Sequence, residues 1–203
     1  MGVARRQMYD LFCRELSPTS ATTILDVGVS TVDGPEANAL EKLYPYPHMI
    51  TCAGLDGGAE VRRTLPQVKY VQISPDERLP FADKQFDIAY SNAVLEHVGG
   101  PDARHAFMAE AVRVAKSVFF AVPNRWFPIE HHTSLPFLHF APSLFRRALS
   151  GGDKEYWTKQ ENLDFLSRSA LRREFRQWNP RLIYAGLVLG PFSSNVVMVC
   201  KDR

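Results

Sequence analysis

The sequence has few cysteines, and their spacing is unlike that of a disulfide-bonded or zinc-binding protein. Three occur among 203 residues, at Cys13, Cys52 and Cys200, and no two form a C-x-x-C pair. An odd and widely spaced set argues against a disulfide framework and against a zinc knuckle. The cysteines therefore predict a reducing compartment, the cytoplasm.

Long apolar runs and runs of one charge are also missing. No stretch approaches the length of a transmembrane helix, and residues 1–10 lack the features of a secretory signal. With 24 basic and 22 acidic side chains the formal charge is +2, and no Lys/Arg run indicates a nucleic acid partner. The 45% hydrophobic content predicts a single domain over residues 1–203.

What is present is an alternation of short β-branched runs with helical segments. The runs predict strands at 23–27, 49–55, 69–73, 86–91, 117–121, 181–187 and 195–200. This alternation favours an α/β fold, a Rossmann-like three-layer sandwich. Its seven-stranded sheet is expected to be mostly parallel, with the last two strands pairing as an antiparallel hairpin.

Three segments have helical patterns. Pro35 opens the first, whose apolar side carries Ala37, Leu40 and Leu43. The second spans 102–115, and the third spans 169–178 with Leu171 and Phe175 inward. The inward face predicted for the second helix consists of Ala103, Phe107, Ala111 and Val114.

Polar residues follow four of the predicted parallel strands, where α/β proteins bind ligands. Asp26 is suited to orient a cationic amine, and Asp56 to accept hydrogen bonds from ribose hydroxyls. Asp76 is the candidate for reading an adenine amino group. The predicted cofactor-binding residues are Asp26, Gly28, Asp56, Asp76, Ser91 and Asn92.

The loop after the first strand discriminates between cofactors. A dinucleotide fingerprint beginning at Gly28 requires glycines where this chain has Ser30 and Asp33. A carboxylate there would repel a pyrophosphate, which disfavours NAD. S-adenosylmethionine has no phosphate and carries a sulfonium and an ammonium group, so it tolerates an acidic loop.

The segment 79–98, LPFADKQFDIAYSNAVLEHV, resembles the central signature of class I S-adenosylmethionine-dependent methyltransferases. It is similar to the branch with an LPF-x-D-x-x-FD strand followed by a Leu-Glu-His turn, and the likeness extends over 24–122. The resemblance implies S-adenosylmethionine as cofactor and S-adenosylhomocysteine as product. It places Asp26 and Gly28 in the first cofactor motif, Asp56 as the ribose-binding acid, and Ser91 and Asn92 in the wall after the fourth strand.

Two features depart from the family pattern. The Gly-x-Gly-x-Gly loop is reduced to Gly28-Val29-Ser30-Thr31-Val32, and Pro75 stands where an adenine-binding Asp is common. These departures motivate an alternative interpretation, a non-catalytic partner protein that keeps the fold.

The segment 123–147, rich in proline, aromatic residues and histidine, is long for a connection and is predicted to be a lid or an acceptor-binding insertion. His131 and His132 are the candidate general bases. A metal site built from His131, His132 and His139 lacks recognisable ligand spacing, so no metal is predicted.

The predicted function is transfer of a methyl group from S-adenosylmethionine to an oxygen or nitrogen atom of an unidentified small-molecule acceptor. A third interpretation is a methyltransferase acting on a lipid-like acceptor at a membrane surface. It rests on the aromatic segment, which ends in Arg146 and Arg147. The sequence leaves the oligomeric state open.

Overall fold

Seven β-strands and six α-helices follow one another in the computed structural model, which describes residues 2–32, 34, 37–75, 77–159 and 162–202. The strands are β1 (Ile24–Val27), β2 (Ile50–Gly54), β3 (Lys69–Gln72), β4 (Phe86–Asn92), β5 (Ala115–Pro123), β6 (Arg181–Leu189) and β7 (Phe192–Lys201). The helices are α1 (Val3–Leu16), α2 (Ala39–Leu43), α3 (Ala59–Thr64), α4 (Pro101–Val114), α5 (Pro142–Leu149) and α6 (Arg168–Glu174).

The strands form one sheet in the order β3-β2-β1-β4-β5-β7-β6. Strands β1 to β5 pair in parallel, whereas β7 pairs antiparallel with both β5 and β6. Because the chain order reverses between β1 and β4, the carboxyl ends of these two strands border a crevice. The predicted strands and the closing hairpin are confirmed, each boundary shifting by three residues or fewer.

The sheet is covered on both faces, which confirms the three-layer arrangement. Ile24 of β1 belongs to a cluster that includes Phe12 of α1 and Val61 of α3. Its neighbour Leu25 belongs to the opposite cluster, which includes Met108 of α4. Successive side chains of a strand point to opposite faces, so these β-branched and aliphatic runs fill two cores at once.

The predicted inward face of α4 is wrong at its first position. Ala103 is exposed, and the buried residues are Arg104, Met108, Ala111 and Val114, with Phe107 packed at the edge. Arg104 takes the inward position because its guanidinium is satisfied there by carboxylates from elsewhere in the chain, as buried charges require. Apolar periodicity cannot anticipate a buried arginine.

Two further helical features differ from the sequence predictions. Helix α1 was not predicted, yet Met8, Leu11 and Phe12 pack it against the sheet. The first predicted helix begins only at Ala39, and Pro35 lies outside the described residues. The third is confirmed by the burial of Leu171 and Phe175.

Candidate functional site

The carboxyl ends of β1 and β4 meet at Gly28. This residue has φ = 95°, a conformation that side chains rarely adopt, and its N–H donates to the Ala53 carbonyl at 2.8 Å. A Cβ atom at this position would lie 2.3 Å from Cγ2 of Val94. Glycine is therefore required here to let the loop after β1 pass close to the chain that leaves β4.

A cavity of about 390 Å³ opens beside Gly28. Its volume lies within the range of small-molecule sites, roughly 300–1,000 Å³. Helix α1 contributes Arg5 to its wall, and the start of α2 contributes Asn38 and Glu41. The other lining residues are Asp26, Gly28, Val29, Ser30, Val32, Gly34, Ala37, Ala39, Leu40, Tyr90, Asn92 and Ala93.

Two carboxyl groups form the acidic end of this cavity. Asp26 and Glu41 are buried and hydrogen-bonded to each other, and the Cys52 thiol donates to Oε1 of Glu41 at 3.6 Å. Burial raises the pKa of both carboxyls, and the Glu41 charge raises that of Asp26 further. The pair therefore tends to retain a proton, while presenting oxygen acceptors to the cavity.

Ser91 and Asn92, adjacent on β4, have different surroundings. The Ser91 hydroxyl donates to the Val27 carbonyl at 2.8 Å and is buried behind the cavity wall. Asn92 lines the cavity, and its buried Oδ1 atom has no hydrogen-bond partner within the part of the chain that the structure describes. A buried amide oxygen without a donor is costly, so this atom is an acceptor available to a bound ligand.

Asp56 follows β2 and is exposed. Thr31 Oγ1 donates to its carboxylate at 3.3 Å, which links the loops after β1 and β2. The Tyr70 hydroxyl donates to the Asp56 backbone carbonyl. The carboxylate keeps acceptor capacity toward solvent, whereas Asp76, the other predicted adenosine contact, lies outside the described residues.

The histidines at 131 and 132 lie apart from the large cavity. Both border a second cavity, of about 20 Å³, together with Glu96 and Glu130. His131 is exposed, whereas the ring of His132 is half-buried and its Nδ1 lies 2.9 Å from Oε1 of Glu130. Of the two candidate bases, His132 is the one held by a carboxylate.

His139 does not join these two histidines. Its Nε2 atom lies within hydrogen-bonding distance of the Arg125 carbonyl, at 2.9 Å. His132 instead contacts His97, and their Nε2 atoms are 3.1 Å apart. The trio of His131, His132 and His139 is thus not assembled as a ligand set in the described part of the chain.

The comparison that decides the family concerns the parallel half of the sheet. Residues 25–118 match the family described as "Methyltransferase domain". This part of the chain is similar to a methyltransferase domain. The resemblance to class I S-adenosylmethionine-dependent methyltransferases is thereby confirmed, and it covers Gly28, the cavity wall from β4 and the Leu-Glu-His turn.

Solved structures of methyltransferases share the fold of almost the whole chain. A SAM-dependent methyltransferase from Aquifex aeolicus has a TM-score of 0.61 at 13% identity, covering 98% of this chain and 92% of that chain. A 1,6-didemethyltoxoflavin-N1-methyltransferase from Burkholderia thailandensis, solved with 1,6-didemethyltoxoflavin and S-adenosylhomocysteine, has a TM-score of 0.62 at 16% identity, covering 99% and 79%. At these identities the likeness is one of fold.

A curated relative is similar over a shorter stretch. An uncharacterized protein of Mycobacterium tuberculosis is 36% identical over 55 residues, which is 27% of this chain and 19% of that protein. The match thus spans about a fifth of the relative's length. Among the described residues, no helix is both long and apolar enough to cross a membrane.

Among the side chains that line the cavity beside Gly28, sequence reasoning missed the polar ones of Arg5, Asn38 and Glu41. Arg5 lies on a helix that the sequence did not predict. Asn38 and Glu41 flank the start of α2, a short helix whose beginning was placed too early. One of the three carried a signal in the sequence. Glu41 is an acidic residue within an apolar helical pattern, and such residues are often buried functional carboxyls.

Proposed function

We propose that this protein transfers a methyl group from S-adenosylmethionine to an oxygen or nitrogen atom of a small-molecule acceptor. The observation that carries the proposal is the cavity between β1 and β4. There the carboxyl oxygens of Asp26 and Glu41 accompany the Oδ1 atom of Asn92, which no described residue hydrogen-bonds. These groups accept hydrogen bonds, and S-adenosylmethionine carries a cationic donor, the ammonium group of its amino-acid end.

The residues on this side of the sheet fit the cofactor part by part. Asp26 and Asn92 would hold the ammonium group, while Gly28 lets the backbone approach it. Arg5, which reaches the cavity from α1, would pair with the carboxylate. Asp56 would accept hydrogen bonds from the ribose, and Asp76 remains the proposed adenine contact.

Ser91 takes a supporting role in this proposal. Because its hydroxyl donates to Val27, it fixes β4 to β1 beneath the cavity and so positions Gly28 and Asn92. Bound cofactor supplies a carbon activated by the sulfonium, and the protein mainly has to align the acceptor with it.

We assign acceptor binding to the segment 123–147, within a single domain spanning residues 1–203. A backbone hydrogen bond from Asn124 to Ser194 ties the segment to β7, and one from Arg125 to Leu166 ties it to the chain just before α6. It brings His131 and His132 to the end of β4, beside Glu96. His132, oriented by Glu130, is the proposed base for an acceptor that must lose a proton.

Calorimetric titration with S-adenosylmethionine and S-adenosylhomocysteine tests the cofactor. We expect saturable binding, weakened in Asp56→Ala by about 1.5–3 kcal/mol, roughly 10–100-fold, because hydrogen bonds to a charged acceptor are lost. Asp153→Asn, which alters an exposed carboxylate in the turn after α5, should bind as the native protein does. Absence of binding by the folded native protein would overturn the proposal and favour the non-catalytic partner.

A screen of small-molecule acceptors, read out as S-adenosylhomocysteine formation, follows once binding is established. His132→Ala should lower kcat while leaving cofactor affinity unchanged, and His131→Ala is the matched neighbour. The three free cysteines agree with a cytoplasmic location, which is part of this proposal.

A lipid-like acceptor at a membrane surface is the second candidate, and exposed apolar side chains favour it. Trp126 is 45% exposed and Phe137 is 60% exposed, and both rings contact Phe140. Helix α5 adds exposed Leu144, Arg146 and Arg147. Such a surface suits an anionic bilayer.

Flotation with anionic phospholipid vesicles tests this second candidate. Binding should be lost in a Trp126→Ser/Phe137→Ser double variant and retained in Val188→Ser, which changes an exposed apolar residue of β6. If the native protein does not bind vesicles at low or moderate salt, the small-molecule proposal stands alone.

A further inference from the structure

Two histidine rings face each other through the same type of nitrogen at the end of β4. The Nε2 atoms of His97 and His132 are 3.1 Å apart, and the rings are nearly perpendicular, at 87°. His97 belongs to the Leu-Glu-His turn, whereas His132 comes from the segment 123–147. The contact therefore joins the methyltransferase core to the proposed acceptor segment.

The opposite nitrogen of each ring is already committed as a donor. His97 Nδ1 lies 2.6 Å from the backbone carbonyl of Asn162, which can only accept. His132 Nδ1 lies 2.9 Å from Oε1 of Glu130. The same Oε1 atom accepts the backbone N–H of His132 at 3.0 Å, and Oε2 accepts the backbone N–H and the hydroxyl of Thr133, each at 2.6 Å. Glu130 is thus an acceptor through both oxygens, and this geometry assigns the hydrogen of both histidines to Nδ1.

In the neutral form, both Nε2 atoms then present lone pairs to each other. Two lone pairs at 3.1 Å repel unless something positive lies between them, either a proton or a metal ion. Neutral imidazole whose second nitrogen donates to a carboxylate or carbonyl is the usual arrangement of a metal-binding histidine. The geometry of the pair is thus that of two preoriented metal ligands.

Glu96 supplies the third group. Glu96 is 1% exposed, and neither of its carboxylate oxygens has a hydrogen-bond partner among the described residues. Its Oε1 atom lies 3.8 Å from His97 Nε2. Leaving a buried carboxyl without a partner is expensive, and a cation would satisfy it. Ligand atoms around a tetrahedral zinc ion are roughly 3.3 Å apart, between the two separations observed here.

We propose that Glu96, His97 and His132 bind a divalent transition-metal ion such as Zn²⁺. Two neutral imidazoles and one carboxylate form a ligand set suited to such ions and leave a coordination position for water or for an acceptor atom. With Nε2 on the ion and Nδ1 on Glu130, His132 would not itself serve as the general base, and water bound to the ion would take that role. Glu130 is the outer carboxylate that holds His132, and Trp157 packs against both rings, with centroid distances of 5.8 Å to His97 and 4.6 Å to His132. The adjacent cavity of about 20 Å³ is large enough for one water molecule.

Calorimetric titration of chelator-treated protein with Zn²⁺ tests the site without any measurement of methyl transfer. We expect one saturable equivalent in the native chain. His97→Ala and His132→Ala should lose it, and Glu130→Gln should weaken it about 10–100-fold, as loss of an outer partner does. His131→Ala removes a neighbouring exposed histidine and should bind as the native chain does. Circular dichroism of the metal-free variants checks that each is folded.

X-ray absorption at the zinc edge of the native complex needs no variant. Imidazole and oxygen scattering without sulfur is the expected result. A sulfur ligand would instead place the ion on the buried group of Asp26, Glu41 and Cys52, and would overturn the proposal. Absence of saturable binding would also overturn it, since a proton shared by the two histidines would then account for the contact. Failure of cofactor binding would leave this result unaffected.

Discussion

Asn38 makes two reciprocal hydrogen bonds with the backbone of Ser30. Its Oδ1 accepts from the Ser30 N–H at 2.9 Å, and its Nδ2 donates to the Ser30 carbonyl at 2.9 Å. Asn38 itself has φ = 54°, a left-handed conformation that asparagine tolerates better than most residues. A single side chain thus holds the loop that in the family pattern is shaped by several glycines.

Removing this side chain should weaken cofactor binding. In Asn38→Gly the left-handed backbone stays accessible, so the change isolates the two hydrogen bonds, which contribute about 1–3 kcal/mol together. We expect S-adenosylhomocysteine to bind about 5–150-fold more weakly by calorimetry, as that free energy implies. Asn38→Ala should be weaker still, because alanine also disfavours the backbone conformation. Native affinity in Asn38→Gly would mean that the loop is ordered by other contacts.

Gly28→Ala should destabilise the protein by about 1–3 kcal/mol, because the residue is held at positive φ. The new Cβ would also collide with Val94. Adding Val94→Ala should recover the steric part of the loss and not the backbone part. Gly57→Ala is the control, since its Cβ would meet no described residue within 4 Å other than its chain neighbours. Denaturant unfolding gives the free energy of unfolding of the native protein, Gly28→Ala, the double variant with Val94→Ala, and Gly57→Ala. Equal stability of Gly28→Ala and Gly57→Ala would refute the prediction.

The carboxyl pair of Asp26 and Glu41 should make stability depend on pH. Their pKa values are raised by burial, so the folded state keeps protons that the unfolded chain releases above about pH 4. The free energy of unfolding should therefore fall as the pH rises from about 5 to about 8. Asp26→Asn should flatten this decline and be more stable than the native chain at the higher pH.

The same variant should bind S-adenosylmethionine less tightly, because a carboxyl near the ammonium group is gone. Unfolding curves at the two pH values, with Asp153→Asn as the exposed control, measure the stability part. A native-like pH slope in Asp26→Asn would show that the pair is not the origin of the dependence.

Arg104 should be a principal contributor to stability on the other face of the sheet. Its guanidinium donates to Glu174 at 2.8 and 3.0 Å, to Asp164 at 2.7 Å and to the Gly99 carbonyl at 2.7 Å. Arg104→Met removes a buried guanidinium from two partly buried carboxylates, and should cost about 3 kcal/mol, the lower end of the range for a broken buried ion pair. Arg172→Met, at an exposed position of α6, should cost less than about 0.5 kcal/mol. Thermal and denaturant unfolding measure the stability of both variants. A loss of stability in Arg104→Met as small as that in Arg172→Met would contradict the role given to Arg104.

Much of the fold could be predicted because the strands carry their signal locally. The run around Ile24 is buried on both faces, so it is apolar at every position except Asp26, and that exception marked the site. Helix α1 escaped prediction because its buried residues are few among charged ones, with Met8, Leu11 and Phe12 as the main apolar contacts. Its packing depends on a sheet assembled from residues far away in the chain.

The sequence by itself determined the α/β fold, the order of strand and helix, and the acidic and glycine residues at the strand ends, because these depend on local periodicity and backbone preference. Only the tertiary structure decided that Asp26 hydrogen-bonds to Glu41, that the Asn38 side chain hydrogen-bonds to the backbone of Ser30, and that the rings of His97 and His132 are in contact. Each of these pairs joins residues from different elements. Their separation is fixed by the packing of the sheet, which no local pattern encodes.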